Sequence, residues 1–152
     1  MQTSPFTLPS TLSPRERRAR LARVIGGALA GERVAVDNGC ELVLLLDDAD
    51  ARLRAIDAAR AHAQHVLGLT RLLRRLAPGD DAAPVDPRWK RLRRDFSAAV
   101  GRGDLPAALL VQTLLLPTLG GVLYGRLATQ PSVATLARWP RCCATARRVS
   151  PA

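Results

Sequence analysis

Residues 51–76, ARLRAIDAARAHAQHVLGLTRLLRRL, decide the fold. Leu53, Ile56, Ala59, Ala63, Val66, Leu67, Thr70, Leu73 and Leu76 recur at the three- and four-residue spacing of one helix face. The pattern predicts an amphipathic helix. The same stretch carries His62 and His65, the only two histidines of the chain. Three residues apart on a helix, they point to nearly the same side, and a bundle can turn that side to its core as a metal site.

Upstream, Asp47-Asp48-Ala49-Asp50 reads as a turn whose carboxylates suit the start of this helix. A longer helical pattern precedes it, from Ser13 to about Leu46. Ser13-Pro14-Arg15-Glu16 opens it as a capping box with proline in the first turn. Gly26-Gly27 marks a point where this helix bends or divides. Downstream, residues 77–85 form a loop containing Pro and Gly, and Asp86-Pro87 restarts a helix to about Val100. Gly101-Arg102-Gly103 breaks it. Asp104 caps an apolar helix reaching about Ala128, which Pro117 should kink at the loss of one backbone hydrogen bond. No strand alternation, solenoid repeat or phosphate-binding glycine loop is present. The reading is therefore all-α, an up-down bundle of four to five helices spanning 13–130.

Residues 1–12, rich in Pro, Ser and Thr, read as a disordered tail. Residues 131–152 read as an irregular basic tail, with three prolines, four arginines and Cys142-Cys143 where a last regular helix would stand. Periodicity, acidic residues and large aliphatics all fade there. This end is expected to be a truncated, degenerate or out-of-frame last helix.

Composition narrows the function. The 152 residues suffice for a real core in one domain. Aromatics make up only 3 % against 47 % apolar residues, which favours packed helices over a sandwich. The net charge is +10, and Lys90 is the only lysine among 23 basic residues. Two readings fit this arginine excess: GC-rich codon usage, and a selected basic surface for an anionic partner. Arg71, Arg74, Arg75, Arg88, Lys90, Arg91, Arg93 and Arg94 would form a rim around the 77–85 loop, as a solvated face or a phosphate-binding one. Three cysteines, Cys40, Cys142 and Cys143, match neither a disulfide framework nor the usual zinc spacings, so a cytoplasmic setting is the default. The arginine-rich first 31 residues, with a short apolar run at 21–30, weakly resemble a targeting segment. Residues 105–125 carry no charge and are long enough to span a bilayer, although Pro106, Gln112, Thr113, Pro117 and Thr118 suit a buried bundle helix better.

Glu32 lies thirty residues before His62, the separation expected of two antiparallel helices joined by a tight turn. Gly31-Glu32-Arg33-Val34-Ala35-Val36, residues 58–67 (AARAHAQHVL) and residues 103–112 (GDLPAALLVQ) together resemble the ferritin-like diiron carboxylate superfamily of oxidases and oxygenases. The helix order also fits: a glutamate helix, a pair-bearing helix after a short turn, a crossover helix, then another apolar helix. The resemblance covers about residues 15–130. It implies Glu32 as the carboxylate of the first helix and His65 as the family's histidine. His62 stands where the family has glutamate, Pro117 where a second bridging glutamate is expected, and Thr145 and Arg148 where the last Glu-x-x-His pair would lie. Residues 105–152 hold no Asp or Glu at all.

The metal ligands that remain are Glu32, His62 and His65, with Asp37, Glu41 and Asp57 as spare carboxylates on the same two helices. Such a set suits a single iron or another divalent ion rather than a coupled pair. The histidines also fit two plainer readings, as half-exposed polar residues on a helix flank and as vestigial ligand positions. No serine nucleophile elbow is present. The expected function is a ferritin-like bundle with an eroded metal site, lacking diiron oxidase activity. The alternatives are a small basic helical module binding nucleic acid or acidic partners through the Arg71–Arg94 rim, and a membrane-associated protein using residues 105–125. A bundle missing its last regular helix would expose apolar surface on 105–128, which predicts a homodimer through that helix or aggregation.

Overall fold

The computed structural model describes residues 13–78, 87–116 and 118. They fold into four α-helices, with no strand among the described residues. These are α1 (Pro14–Leu42), α2 (Ala49–Leu76), α3 (Pro87–Gly101) and α4 (Leu105–Leu109). A 3-10 turn, Val43–Leu45, follows α1, and a π-helical stretch, Leu110–Leu115, follows α4. The expected tails at 1–12 and 131–152, the loop centred on 79–86 and the remainder of the apolar helix beyond 118 lie outside the described residues.

The cap chemistry sets the helix starts. The Ser13 hydroxyl accepts from the Glu16 amide at 3.2 Å, and the Glu16 carboxylate accepts from the Ser13 amide at 2.8 Å. Asp48 accepts from the Ala51 amide at 2.7 Å, so α2 begins at Ala49, two residues earlier than the acidic turn suggests. Asp104 accepts from the Ala107 amide at 3.1 Å and opens α4. Gly103 before it has φ +68°, a left-handed conformation that a side chain would strain.

Gly26-Gly27 does not divide α1, which runs unbroken for 29 residues. Each glycine costs a helix interior about 1 kcal/mol. Packing on either side offsets this: Ile25, Ala28 and Leu29 are buried in one cluster with Leu69 and Leu76 of α2. The helix stops at Leu42, short of Leu46. The expected kink at Pro117, itself outside the described residues, is preceded by the π-helical stretch. There the Thr113 hydroxyl donates to the Leu109 carbonyl at 2.7 Å.

α1 is the central element, packed against α2, α3 and α4. Its N-terminal half shares a core with the C-terminal half of α2, so the two run antiparallel. Trp89 of α3 lies against Gly31, and Arg93 reaches Asp37 and Glu41 further along, so α3 runs parallel to α1. Leu42, Phe96, Ala99 and Ala108 form a second cluster, and Val34, Ala35 and Leu116 a third. α4 therefore runs back along α1. Phe96 and Asn38 are wholly buried.

Not every periodic apolar residue of α2 is covered. Leu53, Ile56 and Leu67 stay exposed, because the apolar arc of α2 is wider than the strip α1 occupies. Leu110, Leu114 and Leu115 are also exposed, at the start of the segment read as an apolar dimer face. No helix among the described residues is long and apolar enough to cross a membrane.

Two substitutions test the packing of α1. A Cβ at Gly31 would lie 2.8 Å from the Trp89 ring, whereas one at Gly27 would meet nothing within 4 Å. Gly27→Ala is expected to stabilise the protein by about 1 kcal/mol through helix propensity. Gly31→Ala is expected to destabilise it by about 1–3 kcal/mol through overpacking. Equal urea midpoints for the two variants would contradict this seam. Both amide atoms of Asn38 are buried without a hydrogen-bond partner. Asn38→Leu, of similar volume, is expected to raise stability by about 1–3 kcal/mol, since a buried unsatisfied amide is costly. A fall in the urea midpoint would show that the amide is satisfied in solution.

Candidate metal centre

Glu32 projects from α1 into the seam with α2, and only 6 % of its surface is exposed. A carboxylate buried this deeply needs hydrogen-bonding or charged partners. The antiparallel hairpin supplies them. His62 and His65, one helical turn apart on α2, reach it from the opposite side of the seam. Their Nδ1–H groups donate to the same oxygen, Glu32 Oε2, at 2.7 and 3.3 Å. The two rings stand nearly perpendicular, 6.1 Å between centroids, which lets both aim at one atom without stacking.

The tight turn after α1 fixes this meeting. A shift of α2 by one residue along α1 would turn the two imidazoles about 100° away. Gly39 guards the same register two turns further on, where an added Cβ would come within 3.0 Å of the Ala59 Cβ.

The hydrogen bond to Glu32 raises the pKa of His65 above its ordinary 6.5, burial opposes the rise, and the carboxylate charge adds to it. The His62 and His65 side chains keep 29 % and 22 % of their surface, against 7 % for Glu32. The centre is thus a carboxylate sealed in the seam with two imidazoles at its mouth.

One donor atom from each of the three residues lies within 4.8 Å of the others. A tetrahedral ion with ligand bonds of about 2.0–2.1 Å holds its donors roughly 3.4 Å apart. The trio needs only side-chain adjustments on the order of 1 Å to meet that geometry, and the donor set of one carboxylate and two imidazoles suits zinc or iron.

The spare carboxylates are not brought in. Glu41 accepts from Arg93 Nη1 at 2.9 Å and from the Ser97 hydroxyl at 3.1 Å, tying α1 to α3. A further ion pair joins Glu41 to Arg93, and Asp37 lies 4.0 Å from the same guanidinium. Asp57 is exposed beside Arg60. Arg93 is accordingly removed from the expected basic rim, while Arg91 and Arg94 remain exposed beside Asp95. Cys40 is an exposed free thiol. Pro117, Cys142, Cys143, Thr145 and Arg148 lie outside the described residues.

Sequence reasoning missed one polar pair. Gln112 of the π-helical stretch is buried and donates from Nε2 to the Ala35 carbonyl at 3.2 Å. Asn38 lies on α1 beside Gly39, which Gln112 Nε2 approaches. The signal was present: Asn38 interrupts the buried series Val34, Ala35 and Leu42.

The His65 shift gives a pH dependence for the metal-free protein. A pKa raised on folding stabilises the fold fully below the unfolded value and is lost as pH rises through the folded value. Stability is therefore expected to fall from about pH 6.5 upward, by an amount that His65→Gln removes. A denaturation midpoint that is flat or rising through this window in the metal-free wild type, unchanged by H65Q, would contradict the pairing.

No protein-family model matches this chain, and neither a curated protein nor a solved structure shows a significant match to it.

Proposed function

We propose that this chain is a ferritin-like helical bundle that retains half of a metal site. That half is a mononuclear centre of Glu32, His62 and His65, and the chain lacks diiron oxidase activity. The observation that carries the reading is the convergence of both imidazole Nδ1 atoms on one oxygen of a buried carboxylate. The helix order supports it. α3 returns parallel to α1 as a crossover helix would, and α4 then runs back along α1.

Each residue has a definable role. Glu32 supplies the single negative charge and, being sealed in the seam, holds a fixed position. His65 and His62 supply nitrogen donors from one rigid helix turn. Their partial exposure leaves room for exchangeable ligands on the outer side of the ion. A bound iron would supply one-electron redox chemistry, and a bound zinc Lewis acidity. Dinuclear chemistry needs a second cluster of carboxylates, and the absence of Asp and Glu from residues 105–152 argues against one.

Metal analysis tests the reading. Purified protein is loaded anaerobically with ferrous iron, desalted and exposed to air, beside a His62→Ala/His65→Ala variant. One metal ion per chain, lost in the variant, is the expected result. Two irons per chain would overturn the mononuclear assignment, and no retained metal after loading with iron, zinc or cobalt would overturn the metal centre itself.

A further inference from the structure

The carboxylates of the α1–α2 hairpin are segregated along its length, whereas arginines occur throughout it, with Arg33 near the middle and Arg52, Arg54 and Arg60 among the acids near the turn. Asp37, Glu41, Asp47, Asp48, Asp50 and Asp57 gather around its turn. The open end carries Arg15, Arg17, Arg18, Arg20 and Arg23 on α1, with Arg71, Arg74 and Arg75 on α2, all of them exposed. A codon bias toward arginine would raise its frequency everywhere, but it does not sort the acids to the opposite end. Glu16 is the carboxylate of the α1 start, and it is engaged in the capping box with Ser13. Asp80, Asp81 and Asp86 of the following connection lie outside the described residues. Even with these three counted, the sequence sets four carboxylates against these eight arginines.

The shape of this end is distinctive. Every residue from 13 to 20 is exposed. The first buried residue of α1 is Leu21, in the same cluster as Leu76, the last residue of α2. The first two turns of α1 thus stand clear of the core. At about 100° per residue, Arg15, Arg17, Arg18 and Arg20 of these turns spread around the helix with no angular gap above roughly 140°, and Arg23 follows on the next turn. Several also sit at the positive end of the helix dipole, where cations are unfavourable. The arrangement therefore works against the isolated helix, and a surrounding anion would relieve it.

An all-round distribution selects among anionic partners. A lipid surface calls for an amphipathic helix, apolar on one face. Residues 13–20 offer only Pro14 and Ala19 as apolar side chains, so a membrane has nothing to take up. An acidic protein surface would engage one side and leave the remaining arginines in water. A groove walled by phosphates on both sides meets them all. The major groove of B-form DNA, about 12 Å wide, admits an α-helix of about 10–12 Å diameter. Arginine, with its planar fork of donors, is the side chain best matched to phosphate oxygens.

We propose that the first two turns of α1 enter the major groove of duplex DNA, with Arg71, Arg74 and Arg75 of α2 on the adjacent phosphates. This surface shares Arg71, Arg74 and Arg75 with the rim read from sequence but centres on α1 rather than α3, where Arg93 is locked against α1, and it is independent of the metal centre.

The test is fluorescence anisotropy on a labelled mixed-sequence duplex of about 20 base pairs, titrated between about 50 and 200 mM NaCl, the range over which phosphate contacts are lost. The wild type is expected to bind with a steep salt dependence. Arg15→Gln/Arg17→Gln/Arg18→Gln is expected to weaken binding at the lower salt by about tenfold or more and to flatten the log–log slope by roughly two to three, near one unit per lost phosphate contact. The charge-matched Lys90→Gln/Arg91→Gln/Arg94→Gln variant is expected to stay within about twofold of the wild type, as these residues contact no phosphate. The α1 side chains are exposed, so helicity and melting temperature should be retained in both variants. Arg17→Gln alone, measured in parallel, should show a smaller loss in the same direction. Absence of binding at low salt, equal losses in the two triple variants, or equal affinity for single-stranded DNA of the same length would overturn the proposal. So would tighter binding to phosphatidylserine vesicles than to the duplex.

Discussion

The burial of Glu32 in the α1–α2 seam is the constraint on which the rest of the structure depends. An ionised carboxylate withdrawn from water is tolerated only with donors close at hand. Here two of them come from one turn of the neighbouring helix, at 2.7 and 3.3 Å. The requirement is directional as well as electrostatic. It fixes both the depth of α2 along α1 and its rotation about its own axis. Apolar contacts between Ile25, Leu29, Leu69 and Leu76 supply most of the attraction, but they would accept neighbouring registers more readily than the imidazole–carboxylate contact does.

With that hairpin set, α1 becomes a rail for the remaining helices. Gly31 leaves a flat place for the Trp89 ring, which seats the start of α3. Glu41, nearly three turns further along α1, then holds Arg93 and Ser97. This half-buried network does what an aliphatic contact would not. It ties the angle of α3 to hydrogen bonds of defined direction. The return of α4 is less well satisfied, for Gln112 meets the Ala35 carbonyl with one amide atom and leaves the other without a partner, as Asn38 leaves both. The seam between α1 and the π-helical stretch is thus the weakest polar match among the described elements. Irregular helix geometry occurs at the same place.

Much of this was legible because the relevant chemistry is local. The Ser13–Glu16 box and the Asp104 cap involve residues three apart, so the sequence displays both partners side by side. The meeting of Glu32 with His62 and His65 was legible for a related reason. A tight turn between two long helices makes their separation along the chain a measure of their alignment. Other features depended on what covers a face, which periodicity does not report. Leu53, Ile56 and Leu67 belong to the same periodic series as Ala59 and Leu76, yet they remain exposed because no described helix lies over them, whereas Leu69, outside that series, is buried. Arg93 looked like one more charge in a basic run, and its partners Asp37 and Glu41 lie on another helix more than fifty residues earlier. The choice of Asp48 over Asp47 or Asp50 as the α2 cap rests on backbone geometry that three neighbouring acids leave open.

Charge balance bears on what the centre can hold. Glu32 with two neutral imidazoles offsets one unit of positive charge, which leaves a divalent ion with a net charge of one and open positions toward the exposed histidine edges. A second ion at the same place would bring two more positive charges. Asp37 and Glu41 are already engaged by Arg93, and Asp57 points to solvent beside Arg60, so none of the three is placed to neutralise them. The same accounting explains why His62 matters more than a neutral helix residue would. Where a carboxylate at position 62 would add repulsion against the buried Glu32, an imidazole donates a hydrogen bond to it. The imidazole at position 62 therefore helps to make the buried carboxylate stable in the absence of metal.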